Sequence, residues 1–196
     1  MFDFARKYYP AVKRLIDLVG AVVLLVFFAP LLLIVWCLVR LTSEGPGLFW
    51  SERVGRNGTT FMMPKFRTMT RDSKLLSREL AQPGDCSVTE LGHILRKSSI
   101  DELPQLWCIL RGDMSFIGPR PVLPNDQAVK IRDMYEGVSK VRPGMTGLAQ
   151  INGRNLVSPR NKARYDAFYA REVCLFLDAK IVMKTLAILH RTEMVK

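Results

Sequence analysis

Adjacent carboxylates mark the most chemically loaded stretch of this chain, Arg96 to Pro121, which reads RKSSIDELPQLWCILRGDMSFIGPRP. Asp101 and Glu102 keep company there with four cations, Arg96, Lys97, Arg111 and Arg120. A carboxylate can act as a nucleophile or as a hard oxygen ligand, and a guanidinium grips phosphate through paired N–H groups. Arg120 sits in Gly118-Pro119-Arg120-Pro121, between residues of restricted backbone. Pro104 is tolerated only within the first turn of a helix, so the spacing predicts a helix beginning near Asp101, with Asp101 as N-cap. Ser99 and Glu102 match a capping box, and Leu103, Leu106, Trp107 and Leu110 recur at helical spacing, predicting a buried face. That arrangement would set the carboxylates at the positive end of a helix dipole. On spacing alone, a plain acid-capped helix start accounts for the pair at least as well as a phosphate site.

The chain has 196 residues, enough for one domain with a real core, and a formal net charge of +11. That charge implies anionic partners. The cations are interleaved with aliphatic residues rather than gathered with stacking aromatics, which disfavours nucleic acid. Cys37, Cys86, Cys108 and Cys174 lie far apart without a CxxC, and His93 and His190 are the two histidines. Neither a zinc site nor a disulfide framework is suggested, so any transfer chemistry must rest on carboxylates.

The elements that must position the acidic pair begin with a membrane-like segment. Leu18 to Val39 carries no charge, and its length suits a bilayer core. Pro30 sits near the middle, and cations flank both ends: Arg6, Lys7, Lys13 and Arg14 before it, Arg40, Arg53 and Arg56 after it. A helix that enters, bends at Ala29-Pro30 and returns to one face satisfies both features, while a plain spanning helix satisfies the length. Both remain open from the residues.

Leu48–Val54 and Thr59–Met63 flank Gly55-Arg56-Asn57-Gly58 and predict a β-hairpin, followed by Lys65 and Arg67 in the run KFRTM. Helices are predicted over 72–80, 89–97, 125–136, 159–173 and 176–190, with Ser158-Pro159 starting the fourth. Residues 140–155, KVRPGMTGLAQINGRN, are too rich in turn dipeptides for a regular helix. The last helix alternates Ile181, Val182, Leu186 and Leu189 with Lys180, Lys184 and Arg191. That pattern suits either an anionic membrane surface or a core.

The blocks KFRTM, RKSSIDELPQLWCILRGDMSFIGPRP and VRPGMTGLAQINGRN, in this order, resemble the monotopic phosphoglycosyl transferases, a bacterial sugar transferase family, over nearly the whole chain. The resemblance implies an α+β, mostly helical fold. It would have a re-entrant membrane helix over 1–40 and a catalytic domain over 41–196 with a small hairpin and amphipathic interfacial helices. It implies transfer of phosphosugar from a UDP-sugar to undecaprenyl phosphate with release of UMP, at the cytoplasmic face of the bacterial inner membrane. By the same resemblance Asp101 is the nucleophile, and Glu102 works with it to hold Mg2+. Lys65, Arg67, Arg96, Arg120, Arg142, Gln150, Asn152 and Arg154 are the expected substrate contacts. The chain departs from the family pattern at Ala29-Pro30, where Ser-Pro is usual, and at Pro64 and Ala149, where aromatics are frequent. Neither the sugar nor an oligomeric state is specified. The competing class is a non-catalytic adaptor that binds anionic lipid, in which the acidic pair is a helix cap only.

Overall fold

A computed structural model describes residues 2–70, 87–153 and 157–190, with side chains from 8 to 188 within those spans. The helix expected over 72–80, Cys86 and Arg154 lie outside the described residues.

The chain starts with α1, Phe2–Thr42, a helix of 41 residues that runs without interruption through Pro10 and Pro30. It is long and apolar enough to cross a membrane, with a mean hydropathy of 3.1 over its best window, yet only 11 % of that window is buried. The helix is therefore not the hidden core of a soluble domain. Its buried positions, Tyr9, Asp17, Ala21, Val35 and Val39, form a narrow stripe. The outward positions are mostly Val, Leu, Ile and Phe.

The remaining chain packs against that stripe. β1 (Leu48–Val54) and β2 (Thr60–Phe66) form the expected antiparallel hairpin, in register from Leu48 opposite Phe66 to Val54 opposite Thr60. The turn uses Asn57 at φ 57° and Gly58 at φ 74°, left-handed positions that Asn and Gly adopt at little cost. Next come α2 (Glu90–Ser98) and a 3-10 segment, Ile100–Gln105, that passes directly into α3 (Leu106–Arg111). β3 (Ser115–Ile117) pairs in parallel with β4 (Gly144–Thr146), and α4 (Gln127–Asp133) lies in the connection between them. The short α5 (Leu148–Ile151), α6 (Pro159–Glu172) and α7 (Leu175–His190) complete the chain. Thr89 and Ser158 cap α2 and α6, each accepting a bond from the backbone N–H three residues on. α4 is shorter than 125–136 and is capped by Asp126 rather than Asn125.

The apolar contacts divide into three groups. Ala21, Leu24 and Leu25 of α1 meet Phe61, Met63, Leu106, Cys108, Ile109 and Met114. Leu31, Leu32, Val35 and Val39, beyond Pro30, meet Phe66, Leu91, Leu95 and Ile100. Ile117, Tyr169 and Ile181 join α6 and α7 to β3.

Polar fasteners on α1 complete the assembly. Arg14 donates to the carbonyls of Ile109 (2.7 Å) and Leu110 (3.0 Å) in the last turn of α3. Asp17 accepts from the Ser115 hydroxyl and the Phe116 N–H, both at 3.1 Å. Asp178 of α7 accepts from Tyr9 (2.5 Å) and Lys13 (2.7 Å), and lies 2.8 Å from the Tyr169 hydroxyl. Tyr169 also reaches the Ile117 carbonyl at 3.0 Å.

A buried carboxylate with three donors is costly to delete, because Tyr9 and Lys13 lose this partner and Tyr169 is left with the Ile117 carbonyl alone. Asp178→Ala is expected to cost about 3 kcal/mol, read as a lower unfolding temperature in detergent or nanodiscs. Lys180→Ala, at an exposed position on the same helix, should leave that temperature unchanged.

Candidate active site

The acidic pair lies where α2 ends abruptly. Ser99 takes a left-handed conformation (φ 59°, ψ 16°), so the chain turns out of α2 before Asp101 is reached. Asp101 is consequently not the N-cap of a helix. It sits inside the 3-10 segment, where Pro104 lacks the N–H that a longer hydrogen-bond ladder would need. The capping box does not form either. Ser99 makes no side-chain cap, and Glu102 spends its carboxylate on cations instead. The change from 3-10 to α winding at Leu106 also rotates the apolar face. Leu106, Cys108 and Ile109 are buried, while Trp107, expected inside, is 51 % exposed.

Lys65 arrives from β2. Alternation along the hairpin sets Phe61, Met63 and Lys65 on one face, opposite Arg53, Ser51 and Phe49 of β1. The Lys65 ammonium donates to Glu102 Oε1 at 2.6 Å, and the Arg120 guanidinium donates to the same oxygen at 2.9 Å. Arg120 is fixed in turn through its backbone. Arg132 of α4 donates to the Arg120 carbonyl at 2.9 Å while paired with Asp166 of α6 at 2.7 Å. Val54 N–H bonds the Val122 carbonyl at 2.9 Å, tying the segment after Arg120 to the hairpin.

The two carboxylates therefore differ in state. Burial opposes the Glu102 charge, but Arg120 and Lys65 outweigh it and hold that carboxyl down at about 2. Burial pushes Asp101 above the usual aspartate range; Lys65, Arg96 and Arg120 oppose that push, and the Glu102 charge adds to it. No hydrogen bond engages the Asp101 side chain among the described residues, although it is only 8 % exposed. Glu102 is a fixed anchor, and Asp101 is a poorly solvated carboxylate free to meet an electrophile.

The other expected site residues scatter. Arg96 is close enough to bias Asp101 electrostatically and donates to the Thr68 hydroxyl at 2.9 Å. Arg67 is buried and bonded to the carbonyl and hydroxyl of Ser43, at 2.7 and 2.8 Å, bracing the turn after α1. Arg142 donates to the Gly112 carbonyl at 2.9 Å, and its charged neighbours are Arg14, Arg56 and Asp17, away from the acidic pair. Asn152 donates to the Leu148 carbonyl at 2.8 Å, closing α5. Gln150 keeps both amide atoms buried without a partner.

Three residues that the sequence did not single out do belong here. Arg53 and Gln105 line, with Met63, Lys65, Arg120, Pro121 and Gly144, a small solvent-open hollow. Arg132 holds the arginine loop, residues 118–121, through the Arg120 carbonyl. Period-two alternation in β1 and β2 would have put Arg53 on the face of Lys65, but only once the hairpin register was known. The pair Asp101–Glu102 offers hard oxygen donors, and among the described residues no cluster of three or more His, Cys, Asp or Glu is present.

Comparison with known proteins shows which family the chain belongs to. The model of the family described as bacterial sugar transferase matches residues 8–192. An Aeromonas hydrophila UDP-N-acetylgalactosamine-undecaprenyl-phosphate N-acetylgalactosaminephosphotransferase is 39 % identical over 183 residues, 91 % of this chain and 43 % of that protein. A Salmonella typhimurium undecaprenyl-phosphate galactose phosphotransferase is 32 % identical over 206 residues, 97 % of this chain and 43 % of that protein. A Caulobacter vibrioides UDP-glucose:undecaprenyl-phosphate glucose-1-phosphate transferase is 41 % identical over 188 residues, 92 % of this chain and 70 % of that protein. The chain thus spans less than half the length of the first two. With a family match across almost the whole sequence and an acidic pair set among cations, this chain belongs to the bacterial sugar transferase family.

Proposed function

We propose that this protein transfers a phosphosugar from a UDP-sugar to undecaprenyl phosphate, giving undecaprenyl-diphosphate-sugar and UMP through a phosphosugar ester on Asp101. The observation that carries this reading is the unequal pair: Glu102 is neutralised by Lys65 and Arg120, while Asp101 beside it is buried and unbonded. The Aeromonas, Salmonella and Caulobacter relatives are named for transfers of this class.

In the first step an Asp101 oxygen attacks the phosphorus that bears the sugar, and the bond to the bridging diphosphate oxygen breaks, its electron pair leaving with UMP. In the second, an oxygen of the lipid phosphate attacks the same phosphorus, and the pair of the Asp101–phosphorus bond returns to the carboxylate. Charge balances without proton transfer, so no histidine base is needed. Lys65 and Arg120 lower the repulsion between an anionic nucleophile and a diphosphate.

Asp101 and Glu102 would hold a magnesium ion. Both contacts to Glu102 fall on Oε1 and leave Oε2 unbonded among the described residues, and magnesium commonly takes one or two carboxylates together with water and substrate phosphates. When bound, the ion would offset diphosphate charge.

The membrane seat belongs to the same reading. Side chains of α1 touch the catalytic body on both sides of Pro30, and only residues 26–30 separate the two contact groups. A helix that crosses a bilayer core uses about 20 residues, so this pattern supports a re-entrant α1 with the body at the cytoplasmic face of the inner membrane. Leu175, Phe176, Met183 and Leu186 of α7 and Phe168 of α6 are exposed, giving these helices an apolar flank near the base of α1. That flank supports an interfacial position, where a polyprenyl phosphate has its head in water and its tail in lipid.

Asp101→Asn is expected to abolish both UMP release and the trapped sugar-phosphate adduct while membrane association persists; full turnover by this variant in a UMP-release assay would reject Asp101 as nucleophile. Absence of magnesium-dependent UMP release from every UDP-sugar in a panel would favour the adaptor. In a background with the native cysteines replaced, reporters at the N-terminus and just after Arg40 should both resist labelling from outside the cell. Labelling of the N-terminal reporter alone would indicate a spanning helix.

A further inference from the structure

Arg120 stands in a loop with few ways to be held. Pro119 and Pro121 have no N–H to donate, and Pro121 also confines the Arg120 backbone to extended conformations. The loop is fixed largely through its carbonyls, and three elements take one each. Gly144 N–H of β4 bonds the Pro119 carbonyl, and Val54 N–H of β1 bonds the Val122 carbonyl, both at 2.9 Å. Arg132 of α4 bonds the Arg120 carbonyl, also at 2.9 Å. Two of these donors are backbone groups. The one that holds Arg120 itself is a side chain.

Arg132 divides its guanidinium between two partners. Nε and one terminal nitrogen meet Asp166 Oδ2 at 2.9 and 2.7 Å, and the other terminal nitrogen reaches the Arg120 carbonyl. Asp166 lies on α6 at 1 % exposure, on a face it shares with the buried Ala163, Ala167 and Tyr169. Burial pushes its carboxyl above the usual aspartate range, and Arg132 is the main charge opposing that push. α4 has no buried residue of its own, so the rigid reference for the Arg132 fork is the Asp166 carboxylate on α6. An ion pair that served only to dock α4 on α6 would be complete at Asp166. The third nitrogen extends it to the loop that carries Arg120.

We infer that Arg132, oriented by Asp166, is a positioning residue for the transfer reaction, presetting the Arg120 guanidinium beside Glu102 through the Arg120 carbonyl. The inference rests on the reading above in which Arg120 offsets the charge of the diphosphate. The Arg120 side chain is 52 % exposed and is bonded to Glu102 at 2.9 Å, so its placement depends on the loop beneath it. A shift of about 1 Å at such a group is enough to cost on the order of a hundredfold in rate.

The test uses the full chain in detergent or nanodiscs, with undecaprenyl phosphate and the UDP-sugar that supports turnover in the panel above. Arg132→Lys keeps a positive charge for Asp166 but cannot span both partners, because an ammonium lacks the planar fork. It is expected to lower kcat for UMP release by about tenfold, with an unfolding temperature close to that of the wild type. In an Arg120→Lys background the same substitution should change kcat by less than about twofold, since the group it positions is already gone. Hydrogen exchange supplies a reading independent of turnover. The Val54 and Gly144 amides, which bond the neighbouring loop carbonyls, should exchange faster in Arg132→Lys, while amides within α6 keep their wild-type rates. If Arg132→Lys folds poorly, Arg132→Met combined with Asp166→Leu replaces both charges by apolar groups, a change that buried ion pairs commonly tolerate. The same effects on kcat and exchange are then expected.

Wild-type kcat in the folded variant would overturn the inference. So would an equal loss of kcat with and without the substitution at Arg120, the pattern of a purely structural role. Wild-type kcat in Arg120→Lys alone would instead reject the part given to Arg120, and the inference with it. Should the wild type release no UMP, exchange alone decides: unchanged rates at Val54 and Gly144 would overturn the positioning role.

Discussion

One negative charge organises this site. The Glu102 carboxylate accepts from Lys65 and Arg120 on a single oxygen, joining the hairpin, the 3-10 segment and the arginine loop. These segments lie far apart in the chain, and without that anion two cations would face each other across a partly buried hollow. The pair is held from behind as well, since Arg132 links the Arg120 carbonyl to Asp166, a carboxylate only 1 % exposed. Asp101 gains its character by exclusion. Its neighbour takes the direct contacts, and burial leaves it less solvated than an exposed aspartate.

The long apolar helix is more than an anchor. Its few polar residues are the fasteners of the fold: Arg14 closes α3, Asp17 receives β3, and Tyr9 with Lys13 meets Asp178 of α7. Because α3 follows directly on the segment that carries Asp101, the acidic pair is tied by a short covalent path to a helix with an apolar outer surface. Tyr169, which touches both Asp178 and the Ile117 carbonyl, carries the same connection toward Gly118-Pro119-Arg120.

The parallel pair of β3 and β4 is short but unusually close. A Cβ on Gly144 would lie 2.1 Å from the Gly118 nitrogen, and one on Gly118 would lie 2.3 Å from the Arg142 carbonyl, so neither position accepts a side chain without parting the strands. This close approach brings the glycine-punctuated loop beside the arginine loop. In that loop Arg142 and Asn152, expected from the family resemblance to meet substrate, are bonded to the carbonyls of Gly112 and Leu148.

Local chemistry was legible in the residues themselves. The uncharged run through Pro30 declared a long apolar helix, Arg56-Asn57-Gly58 declared the hairpin turn, and Ser158-Pro159 declared the start of α6. Those features depend on properties each residue carries into any fold: hydropathy, backbone preference and charge. What only the tertiary structure decided was which charges meet. Arg67 and Arg142 had the same apparent claim as Lys65 and Arg120, yet they are spent on the carbonyls of Ser43 and Gly112, while Arg53, Gln105 and Arg132 were indistinguishable from ordinary surface or core residues. A cation's partner is set by strand register, by a left-handed turn at Ser99 and by which helix covers which carbonyl, and those are outcomes of packing across long sequence separations that no local pattern encodes.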